Sequence, residues 1–396
     1  MELKKCIDGY REQIIRVRRD LHRIPEPAFK EKMTSKTVAD FLENLDLPVE
    51  RGIAKYGVVS LLKCKTPGKT LMIRSDMDAL NITEETDLPF ASIHKGAMHA
   101  CGHDGHMAMV LGAAMVLKDL RNMLKGNIKF VFQPAEEGPG GAKPMIEAGV
   151  MENPKVDYAV GCHLWPALPE GAFGVKAGNL MAAMDHFEVK IIGKGGHGAM
   201  PHLCVDALEV GSQVINALQR VVSRQMSPLN PAVVTVGSFH AGTTYNVIPG
   251  EAVLTGTTRT FDRKVWHSWP ERLEKIIKGV CDSMGAQYLL NYTQGYPPTV
   301  NDEALSAVVR NCAMKVSGPE MVLEPEPTMG GEDMAFYLDR SQGCFFFLGV
   351  GRQNSAPLHN SKFDFDEQML LKGVEAYCRI ALELLNCQIS NPVKKH

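Results

Sequence analysis

Residues 98–106 read Met-His-Ala-Cys-Gly-His-Asp-Gly-His, a short stretch holding three histidines, a cysteine and an aspartate. Imidazole, thiolate and carboxylate are the side chains that bind transition metals. Gly102 and Gly105 allow the backbone angles by which residues two apart can aim at one point. An uncharged apolar run, Met107 to Leu117, follows directly, so the His/Cys turn is expected at the N-terminus of a buried helix. A capping loop with incidental histidines is the plainer reading, and it weakens as similar groups recur. Asp76 and Asp78 lie in Ser75–Ala79, Glu136 and Glu137 in Pro134–Gly138, His163 follows Cys162, and His359 sits in Pro357–Ser361. A hydrolytic metal site needs ions with an open position for water and a base nearby. Two ions need a bridging ligand, which a thiolate can be. Of two adjacent glutamates beyond a strand, one can ligate while the other faces the water.

The elements that must position these groups follow from periodicity. Helical spacing covers residues 4–21 and resumes near Thr34, where Thr34 and Ser35 offer N-cap hydroxyls. Strands are expected at 57–62, 70–74, 127–133 and 156–161, with helices between them and the candidate groups just beyond strand ends, where open α/β sheets commonly collect ligands. Near residue 184 the pattern changes. Strands at 186–192, 232–240, 251–261 and 287–292 alternate with helices at 205–222 and 264–284 in β-α-β-β-α-β order, that of a ferredoxin-like unit. The α/β character resumes from about Gly295, with a helix at 303–317, a strand at 343–349 and a closing helix at 366–386. The expected fold is therefore α/β: a layered catalytic domain with a mixed sheet flanked by helices, in two parts (1–183 and 295–396), and an inserted ferredoxin-like domain (184–294). The tail from Ile389 reads as disordered.

Composition narrows the class. A chain of 396 residues, 45% hydrophobic, can bury a large core and divide into more than one domain. A net charge of −2 and a pI near 6.7 give no electrostatic reason to bind nucleic acid or a membrane surface. The N-terminus lacks the apolar core and cleavage site of a signal peptide, and the longest apolar run falls short of the ~20 residues a bilayer needs. The ten cysteines are scattered singly, as expected of reduced thiols in a cytoplasmic protein.

The run MHACGHDGHMAMVLGAA, with FQPAEEGPGGA, GCHLWP, GGHGAMPH, NVIPGEAVLTGTTRTFD, MGGEDMA and PLHNSKFDFDE, resembles the amidohydrolase group of hippurate hydrolases, indole-acetyl-amino-acid hydrolases and N-acyl-amino-acid deacetylases. That group lies within the aminoacylase/carboxypeptidase superfamily of metallopeptidases, and the resemblance runs from LHRIPEPAF through nearly the whole chain. It implies a dinuclear enzyme with Cys101 bridging, His103 and His163 on one divalent ion, and Glu137 and His359 on the other. Glu136 would be the general base, Asp78 would orient a ligand imidazole, and His197 would stabilise the oxyanion. Asn246 and Arg259 would meet the substrate carboxylate. Compared with the wider superfamily, a thiolate stands in place of a bridging aspartate, and Asp76 in place of a ligand histidine, so Asp76 is not expected to ligate. The metals could be zinc, manganese, cobalt or nickel. The expected substrate is an N-acyl amino acid, and the enzyme is expected to be a homodimer or homotetramer in which the inserted domain serves as lid and pairing surface. His197 could then act within its own chain or in its partner's site.

Other residues read as structural. His99 and His106 flank the ligands in supporting positions, and His186, His240 and His267 have only strand or loop context. His202 is open between substrate and packing roles. Glu332 and Asp333 belong to a motif of the family without an evident chemical task. A dipeptidase or carboxypeptidase on the same site is the neighbouring alternative, and a dead relative that keeps the fold is the distant one. The complete set of candidate ligands argues against the last.

Overall fold

The computed structural model describes residues 3–386; the tail from Ile389 lies outside them. The backbone separates into two compact units. The first comprises residues up to Leu180 together with Val300–Glu326 and the segment from Asp333 onward, and the second comprises Met181–Thr299 with Pro327–Glu332.

The first unit is built on an eight-stranded mixed sheet. Its early strands are β1 (Val49–Ile53), β2 (Gly57–Lys63), β3 (Thr66–Asp76), β4 (Lys125–Gln133) and β5 (Tyr158–Pro169). The spatial order is β1-β2-β4-β3-β5, then Gln342–Gly351, Phe173–Gly174 and Val322–Leu323. β4, β3, β5 and Gln342–Gly351 run parallel, while β1 and β2 add an antiparallel edge. Parallel strands are buried on both faces, which is why β3 reads Leu-Met-Ile from Leu71 to Ile73 rather than alternating.

Helices α1 (Leu3–Gly9), α2 (Arg11–His22), α3 (Lys32–Asn44) and α4 (His103–Asp119) precede β4. The single helix expected over 4–21 is thus two, broken at Tyr10 with φ −101° and ψ 1°. α3 starts earlier than its hydroxyls suggested, and its cap is not a hydroxyl. The Glu26 carboxylate accepts the N–H groups of Met33 and Thr34 and the Thr34 hydroxyl, satisfying donors that the first turn leaves free. α4 is buried from His103 to Leu117, as its apolar run requires. It packs on α2, on β3 and on the closing helix Gln368–Asn386. The last approach is close: a Cβ at Gly373 would meet the Met109 sulfur at 1.9 Å.

The second unit has the β-α-β-β-α-β order read from sequence. Strands Ala232–Ala241, Glu251–Thr260, Ala183–Ile192 and Gln287–Tyr296 lie side by side in that order, every neighbour antiparallel. Ala183–Ile192 alternates cleanly, with Phe187, Val189 and Ile191 buried against Val214 and Leu218 of one helix and Trp269 and Leu273 of the other. Both helices, Ala207–Gln225 and Arg263–Met284, are N-capped by aspartates, Asp206 and Asp262.

Candidate metal centre

Asp76 pairs with Gln133 across β3 and β4, and Arg74 with Gly161 across β3 and β5, so the three strands open along one edge. Asp76 ends β3, Asp78 lies just beyond it, and Pro134–Gly138 follows β4. Cys162 and His163 are inside β5 rather than after it. Strand Gln342–Gly351 pairs with β5 through His163↔Phe347 and on to Trp165, which keeps the backbone extended past the expected end. Gly102, at φ 84°, caps α4 and turns the chain between Cys101 and His103. His359 is also left-handed, at φ 63°, with its N–H donated to the Ala100 carbonyl at 2.8 Å.

These turns bring the candidate donors together, and two of the resulting sets contain Cys101. Donor atoms of Cys101, His103 and His163 lie within 4.8 Å of one another, as do those of Cys101, Glu137 and His359, so the cysteine belongs to both. Cys101 Sγ is 3.5 Å from His163 Nε2. Sulfur and nitrogen at ~2.3 and ~2.05 Å from one tetrahedral ion would be about 3.6 Å apart. The histidine tautomers also fit. His103 Nδ1 donates to the Asp78 carbonyl at 2.9 Å and His163 Nδ1 to the Leu164 carbonyl at 2.7 Å, so each Nε2 is the nitrogen that would face a bound cation. His103 Nε2 is buried without a hydrogen-bond partner, and so is Glu137 Oε1, 3.9 Å away. His359 Nε2 comes within 3.1 Å of that oxygen but out of hydrogen-bonding line. Two buried polar atoms left unpaired at this distance are costly, and a cation held between them would satisfy both.

The electrostatics agree. Burial pushes the Cys101 thiol far above its usual range, and the nearby charges of Glu137 and Glu136 push it further. Burial disfavours the His103 imidazolium, yet the Asp76 charge and the bond to Asp78 outweigh it and raise the group to about 10. The cluster carries surplus negative charge. A bound divalent cation would supply the missing positive charge and convert the thiol to a thiolate ligand. The residues present therefore fit a metal centre.

The supporting residues are as informative. Asp76 is taken up by structure: Oδ1 accepts His106 Nδ1 at 2.8 Å and Oδ2 accepts Arg74 at 2.9 Å. His106 Nε2 in turn accepts the Leu164 N–H at 2.9 Å, which leaves it no lone pair for a metal. Asp78 meets the His103 ring chiefly through its backbone carbonyl, while its carboxylate accepts the N–H groups of Glu136 and Glu137, each at 3.0 Å. Asp333, which had no evident task, accepts from Gln133, Ala142 and Arg74 and so braces the turn after β4. His99 is buried with neither ring nitrogen bonded, and burial pushes it down to about 3.

A buried network behind the turn was not foreseen. Arg18 Nε donates to Asp104 Oδ2 at 2.8 Å, and His22 lies between Asp104 (2.9 Å) and Glu84 (3.1 Å). Burial lowers the His22 pKa, but the charge of Asp104 and the bonds to Asp104 and Glu84 outweigh it and raise the group to about 9. A pKa raised on folding means that the folded chain holds a proton the unfolded chain loses. This stabilisation is complete below pH ~6.5 and is lost as pH rises through about 9. Thermal melts from pH 6.5 to 9.5 should therefore show a smaller fall in Tm for His22→Gln than for the wild type. Parallel curves would show that His22 is neutral throughout.

In the second unit, His197 and Asn246 adjoin. His197 pairs with Val247 in a short two-stranded ladder, and Gly198 N–H donates to the Asn246 carbonyl at 2.9 Å. Arg259 lies one residue before the end of its strand and is half-buried, with one long bond of 3.5 Å to the Met329 carbonyl.

Buried thiol, imidazole and carboxylate donors at the open edge of a mixed sheet, with Glu136 next in sequence to Glu137, define a hydrolase of the metal-dependent class. Residues 72–383 match the model of Peptidase family M20/M25/M40, and the chain belongs to that family. It is 46% identical over 302 residues to an N-acyl-L-amino acid amidohydrolase of Geobacillus stearothermophilus, covering 76% of this chain and 81% of that one. It is 39% identical over 392 residues to thermostable carboxypeptidase 1 of Saccharolobus solfataricus, covering 97% and 98%. Among solved structures, a Bacillus subtilis dinuclear metal binding peptidase of the M20 family matches with a TM-score of 0.83 at 35% identity, covering 96% of this chain and 99% of that one. The family resemblance carried by the sequence motifs is borne out. No helix among the described residues is long and apolar enough to cross a membrane.

Proposed function

We propose that this enzyme hydrolyses the amide bond of N-acyl amino acids carrying acetyl, benzoyl or aryl-acyl groups, releasing a carboxylate and a free amino acid. The observation that carries the reading is Cys101 standing in both donor sets, with Glu136 directly before the donor Glu137. Cys101, His103 and His163 would hold one divalent ion, and Cys101, Glu137 and His359 the other; zinc, manganese, cobalt and nickel all suit such donors. Bound there, the ions would lower the pKa of water and polarise the substrate carbonyl.

The remaining work falls to the chain's own groups. Asp78 seats Glu136 through its backbone N–H, and the Glu136 carboxylate takes the proton of the attacking water and returns it to the leaving amine. His197 Nδ1 accepts the Ala199 N–H at 3.1 Å, so its ring proton resides on Nε2, the tautomer that can donate to a developing oxyanion. Arg259, with most of its donors uncommitted in the second unit, suits the substrate carboxylate, and Asn246 beside His197 adds an amide to the same end. Free thiols at every described cysteine support a cytoplasmic setting, and a homodimer or homotetramer is the assembly the resemblance favours.

A panel of hippurate, N-acetyl-methionine and an unblocked dipeptide tests the reading. The two N-acyl amino acids should turn over far faster than the dipeptide. The carboxypeptidase relative supports the second reading, that of a peptidase on the same site, and preferential cleavage of the unblocked dipeptide would establish it.

A further inference from the structure

Glu31 is fully buried just before α3. Its Oε1 accepts two backbone N–H groups, from Phe29 and from Ala135, each at 2.9 Å. Both donors are left-handed, with φ 55° and 56°. A residue with a Cβ is disfavoured there and stays only where its surroundings over-determine it. Ala135 also begins a run. The next two N–H groups, of Glu136 and Glu137, go to the two carboxylate oxygens of Asp78. Three consecutive amides are thus held by three oxygens of two buried acids. Asp78 fixes the peptides of the two glutamates, while Glu31 fixes the residue at which the chain swings out of β4 towards them. The other Glu31 oxygen, Oε2, is buried with no hydrogen-bond partner, so the contacts of this side chain serve Oε1.

We propose that Glu31 is a positioning residue for the hydrolysis: Oε1 locks Ala135 in its left-handed turn and thereby aims the Glu136 carboxylate. The proposal rests on the reading of Glu136 as the base. What matters is then reach and an accepting oxygen, not charge. Burial, opposed by the backbone bonds, pushes the Glu31 carboxyl up to about 7, which agrees with a group whose charge is dispensable. Without the acceptor, the N–H groups of Phe29 and of buried Ala135 lose this partner and Ala135 is free to relax, turning the peptide that leads into Glu136. A misplacement of about 1 Å at a reacting group can cost roughly 10²-fold in rate.

Glu31→Gln keeps reach and acceptor but removes the charge, Glu31→Asp keeps the charge but is one methylene short, and Glu31→Ala removes both. Three readouts apply: kcat and KM on N-acetyl-methionine, bound metal, and amide hydrogen exchange over residues 133–141 in the metal-free protein. Glu31→Gln should keep near-wild-type kcat. Glu31→Asp and Glu31→Ala should lose up to about 10²-fold in kcat with KM and metal content little changed. In the metal-free protein, exchange across Ala135 should speed up about tenfold or more in the Asp and Ala variants but not in Gln. If Glu31→Ala does not fold, the Gln and Asp pair decides alone. Equal kcat in Gln and Asp, an active Asp with an inactive Gln, or unchanged exchange would overturn the proposal. Wild-type protein inert on every N-acyl amino acid would instead refute the functional reading, and the exchange measurement would still judge the Glu31 clamp.

Discussion

Glu136→Gln should abolish turnover while leaving the metal in place. The carboxamide matches the carboxylate in shape, and the Glu136 N–H would still reach Asp78, so the turn keeps its course. The proposed ligands Cys101, His103, Glu137, His163 and His359 are untouched. What is lost is the group that takes up and returns a proton, worth ~10²–10⁴-fold in rate. Glu137→Gln, one position along, should behave differently. It removes an anionic oxygen from the set shared with Cys101 and His359, so metal and activity should fall together. Metal analysis beside kcat separates the two cases. A Glu136→Gln enzyme that holds metal and still turns over would refute the assignment of the base.

Cys101→Ser should strip the centre more thoroughly than any other single change, because this one sulfur stands in both donor sets. Its thiol is driven far up by burial and by two glutamates, so it ionises only in the company of a cation, and a serine hydroxyl has much less capacity to do so. Loss of a supporting residue costs roughly 10–100-fold in metal affinity, and loss of a shared ligand should exceed that. A second readout is independent of substrate. Metal binding stabilises the folded chain by about 2.7 kcal/mol at a hundredfold excess over Kd, so added zinc or manganese should raise the wild-type Tm and leave that of Cys101→Ser nearly unmoved. A Cys101 that alkylates freely in the metal-loaded enzyme without loss of rate would contradict the bridging role.

Much of this was legible in the sequence because it is local or periodic. The buried helix after the His/Cys turn, the β-α-β-β-α-β order and the helix Glu303–Ser317 follow from the spacing of apolar residues. The candidate donors were legible because cysteine, histidine and acid recur in a few short motifs. What stayed hidden depends on partners far apart in the chain. Glu31 meets Ala135 across 104 positions and Asp333 meets Gln133 across 200, and neither contact leaves a periodic trace. The extension of β5 through His163 depends on a neighbouring strand made far later. The Asp76–His106 pair was closer to view. His103 and His106 are three apart on one helix, hence on one face, and Arg74 lies two residues before Asp76 on the same side of β3.

The slot between β5 and Phe173–Gly174 has a bearing on how the chain is made. The strand that fills it, Gln342–Gly351, is synthesised only after the whole four-stranded unit has emerged. That unit closes its antiparallel sheet within residues 183–296, so all four of its strands emerge before the strand that completes the large sheet. The large sheet waits, with the edge of β5 unpaired on the ribosome and open to wrong partners. His359 comes later still. A nascent or prematurely ended chain therefore lacks both the strand that closes its sheet and the last of the proposed donors, and the donor set of Cys101, Glu137 and His359 is complete only when synthesis has passed it.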